Sequence, residues 1–175
     1  AEKIGENILF AVADCTGHGV PGAMMSVICK NALDNVIKSN HLLKPNQILD
    51  RVNEIIQSTL KGTSQSMNDG MDIALCSWNQ DTNKVLFSGA YNSLYHIQDN
   101  KLNQIKGDRK PIGKFHENST PFSLHEIHFK QGDSIYLFSD GFSDQFGGVR
   151  DKKFGYRKFK ELLISVQEKS MKEQK

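Results

Sequence analysis

Cysteine is scarce in this sequence of 175 residues, and its placement excludes two kinds of structure. The three cysteines, Cys15, Cys29 and Cys76, are odd in number and form no Cys-x-x-Cys pair. This pattern argues against both a disulfide framework and a zinc knuckle. We therefore expect the chain to come from a reducing, cytoplasmic compartment.

An excess of one charge and long hydrophobic runs are also lacking. The 22 Lys and Arg residues stand against 20 Asp and Glu residues and are scattered along the chain, so we expect no nucleic acid partner. No apolar run approaches the ~20 residues that cross a bilayer. The amino terminus has no basic-then-apolar signal pattern. We therefore expect no direct membrane contact.

Apolar residues at helical spacing predict two long helices and a shorter third one. The first has Pro21 in its first turn, the second begins at Pro45 and ends near Gly62, and the third begins near Lys158. Each is expected to bury one apolar side. The residues on these sides are Ala23, Met24, Val27, Ile28, Ala32, Leu33, Val36 and Ile37, then Ile48, Leu49, Val52, Ile55, Ile56 and Leu60, and finally Phe159, Leu162, Leu163 and Val166.

Short apolar or alternating segments predict strands. The wholly apolar residues 8–13 suit a strand buried on both faces, which ends on Asp14. Residues 63–69 are too polar to pack, and an antiparallel meander follows. A further hairpin ends on Asp140. The meander comprises residues 73–78, 84–88, 94–98 and 101–105, with turns at 80–83 and 99–100, and the hairpin comprises residues 126–129 and 134–139. With no repeat or linker, the chain is expected to form one α+β domain over residues 1–175.

Asp14 stands at the end of a predicted strand, before a glycine turn that leads into the first helix (ADCTGHGVPGA, residues 13–23). A carboxylate in this position is a hard ligand for a cation, and the exposed amides of a helix start suit a phosphate. A helix cap in which the glycines serve only the turn would explain the same residues.

Asp140 repeats this arrangement in the segment LFSDGFSD, residues 137–144. Gly141 lets the chain turn away without crowding a ligand, and Asp144 could bind metal or cap the turn. An ordinary Asp-Gly turn after a strand is the alternative. Either motif alone is weak evidence for a metal site.

The ordered blocks of the chain resemble the PPM-type (protein phosphatase 2C-like) metal-dependent Ser/Thr phosphatases. The similarity is to the bacterial branch related to the sporulation stage II E (SpoIIE) phosphatase, and especially to output domains that end large sensor proteins. Each block is short, but their order over essentially the whole chain is specific. The blocks are VADCTGHGVPGAMMS, DGMDIALCSWN, VLFSGAY, DRKPIG, YLFSDGFSDQFGG and KFG.

This resemblance implies a four-layer α-β-β-α sandwich with two central antiparallel sheets and two divalent ions, Mn²⁺ or Mg²⁺, at one edge. Asp14 would bridge both ions, and the backbone carbonyl of Cys15 would complete the shell of the second. Asp140 would ligate one or both ions, and Asp144 is a further candidate ligand. A water acidified by the two ions would attack the phosphorus of phosphoserine or phosphothreonine in line, without a covalent phosphoenzyme.

His18 and Asp72, which lie near these motifs, can each be interpreted in two ways. His18 stands four residues after Asp14, where it would either orient the turn or donate a proton to the leaving group, and the structural role is favoured. Asp72 lies where many relatives have a small or hydroxyl residue. It is interpreted as a polar group at a strand end in preference to a marginal ligand.

The resemblance also bears on the two ends of the sequence. Relatives carry an acidic residue in a Gly-Asp-aromatic segment before the position of Ile8, and a metal-binding aspartate in an Asp-Asp segment after the last helix. Neither segment occurs in residues 1–175. Relative to the family, the domain would therefore lack terminal strands and two carboxylates. We expect weak or absent metal binding and low activity for this fragment by itself.

The function implied is that of a phosphatase acting on a phosphorylated regulatory protein of the anti-anti-sigma (STAS) type, controlled by an upstream sensor domain and compatible with a homodimer. A second hypothesis is a non-catalytic interaction module with a phosphatase fold, in which residues 22–39 and 45–61 dock a partner. A third, nucleotide binding through Gly17 and Gly19, is weak because the segment has no Walker lysine.

Overall fold

The computed structural model describes residues 1–40, 44–61, 70–113, 120–147 and 151–174. The predictions that the second helix ends near Gly62 and that residues 63–69 do not pack lie outside these ranges. The elements, in chain order, are β1 (Glu2–Ile4), β2 (Asn7–Cys15), α1 (Gly19–Asn40), α2 (Pro45–Leu60), β3 (Met71–Asn79), β4 (Lys84–Ala90), β5 (Leu94–Gln98), β6 (Lys101–Ile105), β7 (His125–His128), β8 (Ser134–Leu137), β9 (Phe146–Gly147), β10 (Lys152–Lys153), α3 (Gly155–Ser165) and α4 (Met171–Gln174).

Two antiparallel sheets form the centre of the fold. The larger has the order β1-β2-β3-β4-β7 and the smaller the order β6-β5-β8, while β9 and β10 form a separate short hairpin. Side chains of β3 show how alternation builds the layers, because Ile73 and Leu75 pack under the helices while Ala74 and Cys76 face the second sheet. The structure confirms the predicted α+β class with antiparallel sheets.

Three apolar clusters separate four layers. The first lies between α1 and α2 and the larger sheet, and the second lies between the two sheets. The third joins the outer face of the smaller sheet to α3 through Tyr95, Ile97, Phe159 and Leu163. The layer order is therefore helix, sheet, sheet, helix, as the resemblance implied.

Helix α2 follows its sequence pattern closely. Pro45 stands at its start, where its missing N–H costs no hydrogen bond. Ile48, Leu49, Val52 and Ile56 are fully buried. The prediction for this helix is confirmed at its start and on its buried face.

The predicted buried side of α1 is only partly right. Ala32, Val36 and Ile37 are buried as expected, but Met24 is 63% exposed and Val27 is 59% exposed. The buried face of α1 is a narrow stripe at helical spacing, formed by Met25, Cys29, Ala32 and Val36. The apolar residues of this helix extend beyond that stripe, so some of them stay exposed. Among the described helices, none is long and apolar enough to span a bilayer.

The expectation that residues 8–13 are buried on both faces is wrong. Within β2, Leu9 is buried, whereas Ala11 and Ala13 are exposed. Strand β1 pairs with β2 only from Asn7 to Leu9. Beyond Leu9, the pairing recorded for β2 is with β3 alone, so this part of the strand is less covered than its composition suggests.

The predicted meander and second hairpin are corrected in their pairing. Strands β3 and β4 pair, and so do β5 and β6, but these two hairpins belong to different sheets. Strand β7 pairs with β4, and β8 pairs with β5, so they do not form a hairpin with each other. Sequence periodicity identifies strands but does not state which sheet receives them. Strand β8 also ends at Leu137, three residues before Asp140.

A buried hydrogen-bond network connects β5 to the turn before β8. His96 and Asp133 are in contact at 2.8 Å, with side chains only 9% and 5% exposed. The Asp133 carboxylate also accepts hydrogen bonds from the Gln98 amide and the Lys130 N–H. Burial raises the pKa of the Asp133 carboxyl, but the hydrogen bonds from His96 and Lys130 outweigh it, so that the net pKa lies below its ordinary value.

We predict that Asp133→Asn destabilises the fold by about 2 kcal/mol at pH 7, because it removes charge-assisted hydrogen bonds from a buried site. The pKa of Asp133 is lower in the folded state than in the unfolded state, where it is about 3.9. The ionised carboxylate therefore stabilises the fold at pH values above the unfolded-state pKa, and this stabilisation is lost as pH falls through the folded-state pKa. Urea unfolding of both proteins at pH 7 and pH 3 should show the difference shrinking at the lower pH. An equal difference at both values, or no difference at pH 7, would contradict this assignment. Asp81→Asn, in the exposed turn after β3, is the control.

Candidate metal centre

The two aspartate motifs lie at the same edge of the sandwich. Strand β4 ends at Ala90, which pairs with Ile73 near the start of β3. The start of β3 also pairs with the end of β2, which carries Asp14. After three residues the chain enters β5 at Leu94, whose partner is Leu137 at the end of β8. Asp140 follows three residues later. The register of both sheets thus directs these motifs to one edge.

Asp14 and Asp72 are direct neighbours across β2 and β3. Thr16 donates its N–H to the Gly70 carbonyl at 3.0 Å, so alternate pairs of this ladder, including Asp14 with Asp72, are the hydrogen-bonded ones. Their Cα atoms are therefore about 5.5 Å apart and their side chains share a face. Ala74 lies on the same face and packs between the sheets. Two carboxylates thus stand side by side at this edge, on the face directed toward the second sheet.

The main chain of Cys15 points away from β3. Its cross-strand partner Met71 exchanges both main-chain hydrogen bonds with Ile112, at 3.0 and 2.9 Å, rather than with β2. In an antiparallel ladder the non-bonded pair directs its carbonyls outward. The Cys15 carbonyl accordingly faces the side of β2 where β1 reaches only to Leu9. This orientation leaves it suited to the ligand role that the resemblance implied.

Glycines allow the turn after Asp14 to lie against α1. Gly17 has φ +93°, a conformation that favours glycine. A Cβ atom at Gly22 would lie 2.7 Å from both the carbonyl carbon and oxygen of Gly17, closer than any side chain tolerates. Thr16 fixes the other side of the turn, because its hydroxyl accepts the Gly70 N–H at 2.9 Å. Gly17 therefore allows the chain to turn, and Gly22 allows the backbone of α1 to lie in contact with that turn.

A cavity of about 440 Å³ opens beside this turn. Its lining includes Asp14, His18 and Lys30 together with both Cys15 and Cys29. The structure thus places three of the predicted site residues, Asp14, Cys15 and His18, along one cavity. His18 is exposed and immediately precedes the start of α1 at Gly19.

Two thiols meet in this cavity, a contact for which the sequence spacing gave no signal. The hydrogen bond with Cys29 lowers the pKa of the Cys15 thiol, and burial acts in the opposite direction. The same hydrogen bond, together with burial, raises the pKa of the Cys29 thiol.

Asp140 opens a tight turn that also contains Asp144. The Asp144 N–H donates to the Asp140 carbonyl at 2.8 Å, and the hydroxyl of the buried Ser143 donates to the same carbonyl at 2.9 Å. The Asp144 carboxylate accepts a hydrogen bond from Lys153 at 2.7 Å. This bond raises the pKa of Lys153, and the nearby Asp140 adds to the effect. Asp140 and Asp144 therefore lie together around one lysine.

The predicted site residues thus fall into two groups, Asp14, Cys15 and His18 on β2 and its turn, and Asp140 with Asp144 after β8. Within the described residues, no three His, Cys, Asp or Glu side chains lie close enough together to hold a metal ion. The donors present are nonetheless the kind that Mg²⁺ and Mn²⁺ prefer, namely carboxylates and a main-chain carbonyl. Asp72, interpreted from the sequence as a strand-end polar group, adds a carboxylate next to Asp14.

Solved phosphatase domains share this architecture. The chain superposes on the SiaA-PP2C domain of Pseudomonas aeruginosa with a TM-score of 0.86 and 30% identity, covering 99% of this chain and 67% of that one. It also matches the structure of the RsbU and RsbW domains of Rv1364c from Mycobacterium tuberculosis, with a TM-score of 0.73 and 18% identity over 94% of this chain and 44% of that one. The fold is that of a PP2C-type phosphatase domain.

Sequence comparison agrees with the fold. The family model for stage II sporulation protein E (SpoIIE) matches residues 4–175. This chain belongs to the SpoIIE family. It is also 24% identical over 147 residues to the phosphoserine phosphatase RsbU of Bacillus subtilis (strain 168), covering 81% of this chain and 41% of RsbU. It therefore spans less than half the length of that relative.

Proposed function

We propose that this chain is the catalytic part of a metal-dependent protein phosphatase that hydrolyses phosphoserine or phosphothreonine on a regulatory partner protein. The observation that carries the proposal is that Asp14, Asp72 and the outward Cys15 carbonyl lie at the same sandwich edge as the turn that begins at Asp140. Membership of the SpoIIE family and the similarity to RsbU support it.

In the proposed centre, Asp14, the Cys15 carbonyl and Asp140 would hold two Mn²⁺ or Mg²⁺ ions, and Asp144 would be a further ligand. Because Lys153 already holds one oxygen of Asp144, that ligand uses its other oxygen or exchanges partners. When bound, the ions supply an acidified water and neutralise charge on the phosphoryl group.

The remaining residues of the turn position the substrate. The first N–H groups of the 22-residue helix α1 follow directly after His18 and favour an anionic group nearby. His18 either holds the turn or donates a proton to the leaving oxygen. Its place on the rim of the cavity is compatible with both roles.

The proposed partner is a phosphorylated regulator of the anti-anti-sigma (STAS) type, and an upstream sensor domain of the same protein is proposed to control the activity. Support comes from the curated relative RsbU, described as a phosphoserine phosphatase, and from the fold shared with part of the Rv1364c structure that contains RsbU and RsbW domains. These are properties of those proteins, and the partner of this chain is proposed by analogy with them.

Phosphate release from a phosphoserine protein, measured with Mn²⁺, with Mg²⁺ and with EDTA, tests the proposal. We expect slow release with the divalent ions, because two carboxylates of the family do not occur in residues 1–175, and no release with EDTA. Binding of the phosphoprotein without any release under all three conditions would overturn the proposal and favour a non-catalytic interaction module. The unphosphorylated protein serves as the binding control.

We predict that Asp72→Asn weakens Mn²⁺ binding about tenfold, the size of effect typical for a group that supports a metal ligand. The physical reason is that Asp72 supplies negative charge directly beside the Asp14 carboxylate. Calorimetric titration with Mn²⁺ measures it. Asp81→Asn lies beyond the opposite end of β3, more than about 20 Å along the strand, and should leave the affinity unchanged. Equal affinities in Asp72→Asn and the parent chain would restore the purely structural interpretation of Asp72.

A further inference from the structure

We propose that Cys15 and Cys29 form an oxidation site, at which a hydroperoxide converts the two thiols into a disulfide that joins the end of β2 to α1. The proposal concerns the thiols alone and does not depend on the proposed phosphatase activity.

The two cysteines meet although 13 residues separate them in sequence. Cys15 packs against the apolar cluster that contains Cys29, and both line the same cavity. Each thiol lies close enough to the other to shift its pKa. Adjacent residues of a strand point to opposite faces, so the Cys15 thiol faces α1 while the Asp14 carboxylate faces the second sheet. A bond between the sulfurs therefore links strand to helix beside the turn that follows Asp14.

Exposure assigns different roles to the two thiols. Cys15 is partly exposed, whereas Cys29 is only 1% exposed. The cavity gives a small oxidant access to Cys15 first, and Cys29 is then placed to react with the product. Cys76 is fully buried between the two sheets and supplies an internal comparison.

The chemistry balances with a hydroperoxide as the oxidant. The Cys15 sulfur attacks the O–O bond, a sulfur–oxygen bond forms, the O–O bond breaks, and the alcohol or water leaves, which gives a sulfenic acid. The Cys29 sulfur then attacks the Cys15 sulfur, a sulfur–sulfur bond forms, the sulfur–oxygen bond breaks, and water leaves with the Cys29 proton. The two thiols together lose two protons and two electrons, which reduce the peroxide.

Tryptic mass mapping of the full chain tests the proposal. The chain is treated with about one equivalent of hydrogen peroxide, quenched, denatured and alkylated without reduction. Trypsin leaves Cys15 and Cys29 together in residues 4–30 and Cys76 in residues 62–84. We expect the first peptide to lose about 2 Da and take up no alkylating agent, because its thiols are joined. The Cys76 peptide should be fully alkylated.

Two variants sharpen the result. Cys29→Ser removes the resolving thiol, so the 2 Da loss should be replaced by oxygen added to Cys15, and Cys76→Ser should leave the loss unchanged. The proposal is overturned if both cysteines of the parent chain remain alkylatable after peroxide treatment. It is overturned equally if the disulfide joins Cys76 or a second chain, which non-reducing electrophoresis detects.

Discussion

Asp14→Asn is expected to lower Mn²⁺-dependent phosphate release by at least about 10³-fold, equivalent to about 4 kcal/mol of transition-state stabilisation. The substitution keeps the shape of the side chain but removes its charge, at the position where β2 presents a carboxylate beside Asp72. Neutral amide oxygens are weaker ligands for hard divalent ions than carboxylates are. Initial rates measured over a range of Mn²⁺ concentrations will show whether added metal recovers the loss.

Asp140→Asn should have an effect of similar size, because Asp140 brings the second sheet's carboxylate to the same edge. Asp81→Asn removes one negative charge far from that edge and should retain full activity. Activity in either Asp14→Asn or Asp140→Asn comparable to that of the Asp81→Asn control would refute the assignment of these residues.

Gly22→Ala is the second substitution with a large expected effect. The added methyl group would lie 2.7 Å from the Gly17 carbonyl, so the turn that follows Asp14 must move away from α1. We expect at least a tenfold loss of Mn²⁺-dependent activity, because displacement of a ligand-bearing segment by even a fraction of an ångström disturbs catalytic geometry. Steady-state rates, together with thermal unfolding, measure this loss.

Gly147→Ala provides the matched control, since a Cβ there meets nothing within 4 Å among the described residues. Alanine is intrinsically better than glycine in a helix, so a loss of activity at Gly22 cannot be attributed to helix propensity. If Gly22→Ala and Gly147→Ala retain equal activity, the close contact between the turn and α1 has no role in the site.

Local patterns were sufficient for much of the fold. Helix α2 has both a start signal at Pro45 and a narrow apolar face, so its position follows from sequence alone. The hairpin between β5 and β6 was equally predictable, because Asp99 and Asn100 both adopt positive φ in a two-residue turn, a conformation that these residue types tolerate.

Features set by distant parts of the chain were not predictable in this way. The exposure of Met24 and Val27 depends on how much of α1 the sheet covers, which helical periodicity does not state. The assignment of β7 and β8 to different sheets depends on long-range pairing with β4 and β5. The turn between them is held by Asp133, whose partner His96 lies 37 residues away.

In the candidate site, too, local features were predictable from the sequence and long-range contacts were not. The turn after Asp14 was identifiable because its glycines are required by backbone geometry, whereas the neighbouring Asp72 is 58 positions further along the chain and meets Asp14 only through strand register. The contact between Cys15 and Cys29 likewise requires α1 to pack on β2. Strand ends indicate candidate ligands, and the sheet register decides which of them meet.

The most direct test of the metal centre is a calorimetric titration with Mn²⁺, up to millimolar concentration, of the parent chain and of the Asp14→Asn, Asp140→Asn and Asp81→Asn variants. Because two carboxylates of the family do not occur in residues 1–175, weak Mn²⁺ binding is expected for the parent chain and for Asp81→Asn, with most of that binding lost in Asp14→Asn and Asp140→Asn. Equal Mn²⁺ binding in all four proteins would contradict the assignment of Asp14 and Asp140 as metal ligands.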